Sequence, residues 1–122
     1  MSASAPAPGG LTISSTLHDG TLSIALVGEL DLSGAGQMEA SLADAQRTLA
    51  ETQPAEDRRL VIDLARLSFL DSTGLRLLLQ ADARAREGGY ELVLRPGSAS
   101  VQRVFEVTGA LDVLRFESPP AA

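Results

Sequence analysis

The stretch that most restricts this chain is Ser68-Phe69-Leu70-Asp71-Ser72-Thr73-Gly74-Leu75. An apolar, β-type run, Leu60 to Leu64, precedes it. A leucine-rich run of helical length, Leu75 to Glu87, follows and stops at Gly88-Gly89. A strand, a short polar loop and a helix in that order belong to an α/β sheet with crossover connections. Ser72 stands where a helix N-cap is expected, just before the periodic residues begin. Two readings of this serine are open. As a cap it accepts a backbone N–H and contributes about 1 kcal/mol. As a phosphate acceptor it would set an anion against the unpaired N–H groups and positive dipole end of the helix.

Composition removes most other chemistries. The chain has 122 residues, enough for one domain with its own core. It is 44% hydrophobic but only 3% aromatic, with no Trp, so the core must be aliphatic. A net charge of −6 is at odds with a nucleic-acid surface, which needs a basic stripe, and with attraction to anionic lipid. Every basic residue is Arg; the absence of Lys excludes Schiff-base chemistry and a Walker lysine. The absence of Cys excludes disulfides, thiol catalysis and thiolate metal sites. The only His, His18, precedes the turn expected at Asp19-Gly20 and cannot build a His-rich metal site alone. No apolar run approaches transmembrane length. Residues 1–10 lack the basic-then-apolar pattern of a secretory signal, so a cytoplasmic protein is expected. Rich in Ala, Ser, Pro and Gly, they are expected to form a disordered tail.

Leu11 to Val27 reads as a β-hairpin around Asp19-Gly20, with Gly28-Glu29-Leu30-Asp31 ending its second strand. Ser33 to Glu51 is helix-like. Leu32, Met38, Leu42, Ala45 and Leu49 recur at helical spacing, and Glu39, Asp44, Arg47 and Glu51 lie elsewhere on the wheel. Gln53 to Arg59 is a loop, and Leu60 to Leu64 a short strand covered by helices. On the helix after Ser72, the spacing puts Leu75, Leu78, Leu79 and Ala83 inward and Arg76, Gln80, Arg84 and Glu87 outward. Tyr90 to Arg95 alternates as a strand. Ser98 caps a helix to about Val107, with Val101, Val104 and Phe105 inward. Leu111 to Phe116 supplies a last short strand, and residues 118–122 form a tail. The expected fold is one α/β domain over residues 11–117 with element order ββαβαβαβ. Its sheet is mixed, mostly parallel, of four to five strands, with helices packed against it.

Partners of an open α/β sheet meet the carboxyl ends of its strands. Parallel strands would bring Glu29-Leu30-Asp31, Asp71-Ser72 and Pro96-Gly97-Ser98 to one edge, which then gathers Glu29, Asp31, Asp71, Ser72 and Thr73. That edge has no convincing base–nucleophile pair. Asp71-Ser72-Thr73-Gly74 looks like the Asp-Thr-Gly loop of aspartic proteases, but it carries an extra residue and has no second copy. Gly34-Ala35-Gly36 lacks the third glycine of a dinucleotide fingerprint. Asp31, Asp63 and Asp71 are carboxylates of the type that bind Mg²⁺, but Asp63 falls inside a strand and should point away or pair locally. No catalytic residue, metal or cofactor is assigned.

Two motifs resemble the STAS domain family, and within it the bacterial anti-sigma factor antagonists: Gly28-Glu29-Leu30-Asp31, and Asp63-Leu64 through Phe69-Leu70-Asp71-Ser72-Thr73-Gly74-Leu75. The resemblance covers about Leu11 to Glu117. It implies a phospho-switchable binding module, not an enzyme. The unphosphorylated antagonist would bind an anti-sigma factor that is also a Ser/Thr kinase of the histidine-kinase ATPase fold, and so free the sigma factor. The kinase would phosphorylate the serine after the loop aspartate, here Ser72, with Thr73 the less favoured acceptor. The pair would then separate, and a phosphoserine phosphatase would reset the switch. Asp31 and Asp71 match acidic positions beside that serine. The implied partner surface is Glu29, Asp31, Asp71, Ser72, Thr73, Gly74 and Arg76. The alternative is a non-switching STAS scaffold or accessory subunit of a transport or stress-signalling complex, in which Ser72 only caps.

Overall fold

The structure, a computed structural model, describes residues 10–117. The chain opens with β1 (Leu11–His18) and β2 (Thr21–Leu30), which pair antiparallel from Leu11↔Gly28 to His18↔Thr21. Between them Asp19 and Gly20 both take positive φ, 50° and 80°. This is the primed turn that matches the twist of a tight hairpin. A 3₁₀ turn at Leu32–Gly34 leads into α1 (Ala35–Thr52). Next come β3 (Arg59–Leu70), α2 (Ser72–Gly88), β4 (Glu91–Arg95) and α3 (Ala99–Thr108). The sheet order is β1-β2-β3-β4, with β2, β3 and β4 mutually parallel.

The mixed, mostly parallel sheet and its three helices agree with the expected class. The fifth strand is reduced. Ala110–Asp112 forms a 3₁₀ turn instead, and only Phe116 bridges to β4, at Leu94. Residues 1–9 and 118–122, the expected tails, lie outside the described residues. Gly10, placed in the first tail, is described, and its carbonyl accepts the Glu29 N–H at 3.2 Å.

β3 departs most from expectation. It runs to Leu70, not Leu64, because it keeps pairing with β2 as far as Leu30, and two register shifts on the way each add a residue to it: Ala25 pairs Asp63 and Val27 pairs Arg66, then Gly28 pairs Leu67 and Glu29 pairs Phe69. Such bulges reset which face a strand presents. Leu64, Leu67 and Leu70 therefore all enter the core although they are three apart.

All three helices join one aliphatic cluster with Leu22, Ile24, Leu26, Leu60, Ile62, Leu64, Leu92 and Leu94. These strand residues share one parity, so the helices lie on one face of the sheet. On α2, Leu77, Ala81, Asp82 and Ala85 are buried with Leu75 and Leu78, whereas Ala83, expected inward, is exposed and Leu79 is only half-buried. Ser98 caps α3 as expected, accepting the Val101 N–H at 3.4 Å, and α2 ends on a left-handed Gly89 with φ 73°.

Among the described residues no helix lies on the opposite face of the sheet, contrary to the expectation that Leu60–Leu64 is covered throughout. There Val61 and Val93, 2% and 3% exposed, are buried apart from the main cluster. Alternating ion pairs run across them in the order Asp63–Arg95–Glu117–Arg59–Glu91–Arg115, at 3.2, 3.4, 3.7, 3.0 and 3.4 Å. Asp63 is thus paired locally, and its other oxygen accepts the Ala65 N–H at 2.9 Å.

Candidate functional site

β2 and β3 end side by side at Leu30↔Leu70, so Asp31 and Asp71, the next residues, emerge together. Adjacent strands are about 4.8 Å apart, and the Asp71 N–H donates to the Leu30 carbonyl at 3.4 Å, tying the two ends. The Pro96-Gly97-Ser98 loop does not reach this level. β4 stops against Asp63, and β3 continues to Leu70, a further distance of about 20 Å at strand rise. The rim is therefore built from two loops, not three.

Each aspartate caps the turn that follows it. Asp31 Oδ1 accepts the Ser33 N–H at 3.1 Å and its hydroxyl at 2.7 Å. Asp71, in extended conformation (φ −107°, ψ −173°), is the N-cap of α2, and its Oδ1 accepts the Gly74 N–H at 2.9 Å. This corrects the expectation that Ser72 caps. Ser72 is the first helical residue and is exposed, and among the described residues no hydrogen bond engages its hydroxyl. The cap is satisfied by a carboxylate, which the positive end of the helix favours.

Thr73 and Glu29 are half-buried, and Arg76, one turn beyond Ser72, is exposed. Gly74 is buried. A Cβ there would stand 2.5 Å from the Leu30 carbonyl oxygen and 2.6 Å from Leu70 Cδ1. Glycine is what lets the first turn of α2 close on both strand ends. Gly28 works similarly on the other side: its φ is +107°, and a Cβ would lie 2.1 Å from the Gly10 carbonyl oxygen. The Ser68 hydroxyl donates to the Gly28 carbonyl at 2.9 Å, which holds β3 to β2 at the second bulge.

Two rim residues escaped the reading of the sequence. Leu32 is 73% exposed in the 3₁₀ turn, although its spacing put it on the buried stripe of α1, and Phe69 is 48% exposed. For Phe69 a signal existed: one of three Phe residues lies between Ser68 and the polar loop. For Leu32 there was none, because its exposure follows from the 3₁₀ turn that offsets it from α1. The rim thus combines acidic groups, a free hydroxyl, one arginine and two apolar side chains. Among the described residues no group of acids or His is arranged to hold a metal, and no helix is long and apolar enough to cross a membrane.

A family model described as "Mlab, STAS domain" matches residues 13–115, and the chain belongs to the STAS domain family. It is 38% identical over 95 residues to a putative anti-sigma factor antagonist, BtrV, of Bordetella bronchiseptica, covering 78% of this chain and 76% of that protein. It is 34% identical over 90 residues to the anti-sigma-B factor antagonist of Listeria monocytogenes, covering 73% and 79%. Among solved structures, an anti-sigma factor antagonist from Mycobacterium paratuberculosis superposes with a TM-score of 0.68 at 26% identity, covering 95% of this chain and 92% of that one.

Proposed function

We propose that this protein is an anti-sigma factor antagonist: a cytoplasmic binding module, without catalytic chemistry of its own, whose grip on an anti-sigma factor is switched off by phosphorylation of Ser72. The anti-sigma factor is itself the Ser/Thr kinase, and a phosphoserine phosphatase restores binding. Family membership and relatives named as antagonists support the class. The observation that carries the switch is the division of labour at α2. Asp71 does the capping, which leaves the Ser72 hydroxyl exposed and without a structural task. Thr73, half-buried, is the poorer acceptor.

The partner surface comprises Glu29, Asp31, Asp71, Ser72, Thr73 and Arg76, shaped by Gly74. A phosphoserine adds about 1.5 to 2 negative charges beside Asp31 and Asp71. Two unit charges about 4 Å apart repel by about 1 kcal/mol in water and about 4 at an effective dielectric near 20. In a closed, partly desolvated interface, a loss of about 3–4 kcal/mol weakens binding about 10²–10³-fold. No rearrangement of the fold is needed, because both carboxylates are already fixed by their own caps.

The test is a paired capture from native lysate with wild-type, Ser72→Asp and Ser72→Ala baits, read by mass spectrometry. Wild type and Ser72→Ala retain an ATPase-fold kinase, and Ser72→Asp loses it. If all three baits retain the same proteins, the switch at Ser72 is wrong and the scaffold reading stands.

A further inference from the structure

The two edges of the sheet are treated differently. At the β4 edge the backbone is partly satisfied: the Leu94 N–H donates to the Arg115 carbonyl and its carbonyl accepts the Glu117 N–H, both at 2.8 Å. At the β1 edge, no strand among the described residues pairs with the outer side of Leu11–His18, and of its outward groups only the Leu11 carbonyl is engaged, accepting from Gln37 Nε2 at 3.0 Å. Natural edges are usually blunted by charge, proline or a bulge. From Leu11 to Leu17 this strand has none of these: its residues are Leu, Thr, Ile, Ser, Ser, Thr and Leu, in register with β2 throughout. In a chain with a net charge of −6, an uncharged edge is where two copies meet with least repulsion.

The backbone also selects a register. The turn at Asp19-Gly20 makes His18 and Thr21 a hydrogen-bonded pair. Bonding alternates along an antiparallel strand, so Thr16, Ser14 and Thr12 also face β2. The N–H and C=O groups of Leu11, Ile13, Ser15 and Leu17 therefore point outward; with the Leu11 carbonyl taken by Gln37, the free stretch runs from Ile13 to Leu17.

We propose that β1 is a self-association edge. Two copies pair their β1 strands antiparallel about a two-fold axis at Ser15, joining both sheets into one. Ser15 then opposes Ser15, and Ile13 opposes Leu17 of the other copy. These three pairs use every outward group from Ile13 to Leu17 and supply about six main-chain hydrogen bonds. The same register matches the side chains. Ile13, Ser15 and Leu17 share the helix-bearing face, where they line an open cleft of about 250 Å³ against Ser41, Asp44 and Thr48 of α1. Leu17, 41% exposed in one copy, gains an apolar cross-strand neighbour. On the other face Ser14 meets Thr16. The backbone and side-chain registers agree, which is the requirement for an isologous contact. One strand pair buries less than the roughly 1,000 Å² of a stable interface, so the dimer is weak and concentration-dependent. The paired edge lies away from Ser72, so it stands or falls independently of the switch.

Amide hydrogen exchange of the full chain over a concentration series, with sedimentation equilibrium in parallel, decides this. The expected result is protection at Ile13, Ser15 and Leu17 that rises with concentration along with the weight-average mass, while Thr12, Ser14 and Thr16 stay constant. Ser15→Glu sets like charges opposite each other and weakens association about tenfold; Ser15→Thr, neutral and β-favouring, preserves it. A wild type that remains monomeric overturns the proposal. So does protection of those amides that is high at every concentration, which would mean an edge covered within one chain. Because the exchange pattern is read on wild type, a Ser15→Glu variant that fails to fold leaves the decision intact.

Discussion

At the scale of single residues, the site turns on an exchange of roles between Asp71 and Ser72. Ser72 looks like the cap in the sequence because serine is a favoured cap and stands just ahead of the leucine-rich run. Asp71 is equally favoured and sits one residue earlier, and the buried Gly74 N–H reaches its Oδ1. The consequence is measurable by urea denaturation. Asp71→Ala costs about 1 kcal/mol, and Ser72→Ala stays within about 0.5 kcal/mol of wild type. Equal losses for both variants would mean that the serine shares the cap. Leu32 and Phe69 give a second prediction. Their side chains already meet water, so Phe69→Ala and Leu32→Ala leave stability nearly unchanged. In the partner interface an apolar anchor of this kind contributes about 2 kcal/mol, so titration calorimetry with the captured anti-sigma factor should show each variant binding about 30-fold more weakly. Unaltered affinity in both would confine the interface to the polar rim.

At the scale of elements, the hairpin, the capped α3 and the glycine-stopped α2 were legible, because each is set by local chemistry: a primed turn at Asp19-Gly20, Ser98 as cap, and Gly89 in the left-handed region. What local chemistry does not encode was misread. The extension of β3 past Leu64 depends on its pairing with β2, and its two bulges turn a period of two into the spacing Leu64, Leu67, Leu70. On α2, the spacing found Leu75 and Leu78 but missed Leu77, Ala81 and Ala85, because the helix is buried over a wider arc than a single stripe. Only a polar residue in that arc looks out of place. Asp82, 6% exposed, accepts from Arg86 Nε at 2.8 Å, and Arg86 in turn donates to the Val113 carbonyl at 3.0 Å. The candidate site was legible as a set of residues, since both strand ends carry their acids at fixed offsets, but not in depth. Gly74, read as part of the surface, is a packing residue. Gly74→Ala forces a methyl group against the Leu30 carbonyl and Leu70, and overpacking of this kind costs about 1–3 kcal/mol. A denaturation midpoint equal to wild type would contradict that close approach.

At the scale of the whole molecule, placing all three helices on one face of the sheet leaves the other to be closed by different means. Val61 and Val93 are nearly as inaccessible as the main core, yet no helix among the described residues covers them. Arg59 and Asp63 flank Val61 on its strand, Glu91 and Arg95 flank Val93, and Arg115 and Glu117 extend the row. Those positions let the stems cover the valines while the charged ends pair in water, the usual compromise of long polar side chains. Arg95 is the place to separate the two contributions, since it bonds both Asp63 and Glu117. Exposed pairs contribute about 0–1 kcal/mol each, and salt at about 1 M shortens the screening length to about 3 Å. Arg95→Met keeps an apolar stem and removes the charge; Arg95→Ala removes both. The expected outcome in urea denaturation is a loss of about 1 kcal/mol for Met at low salt that shrinks as salt is added. For Ala the loss is larger, and part of it survives at 1 M salt because uncovering the valines is not screened. If the Ala and Met variants coincide at every salt concentration, the stems contribute nothing and the valines are shielded by the strands alone.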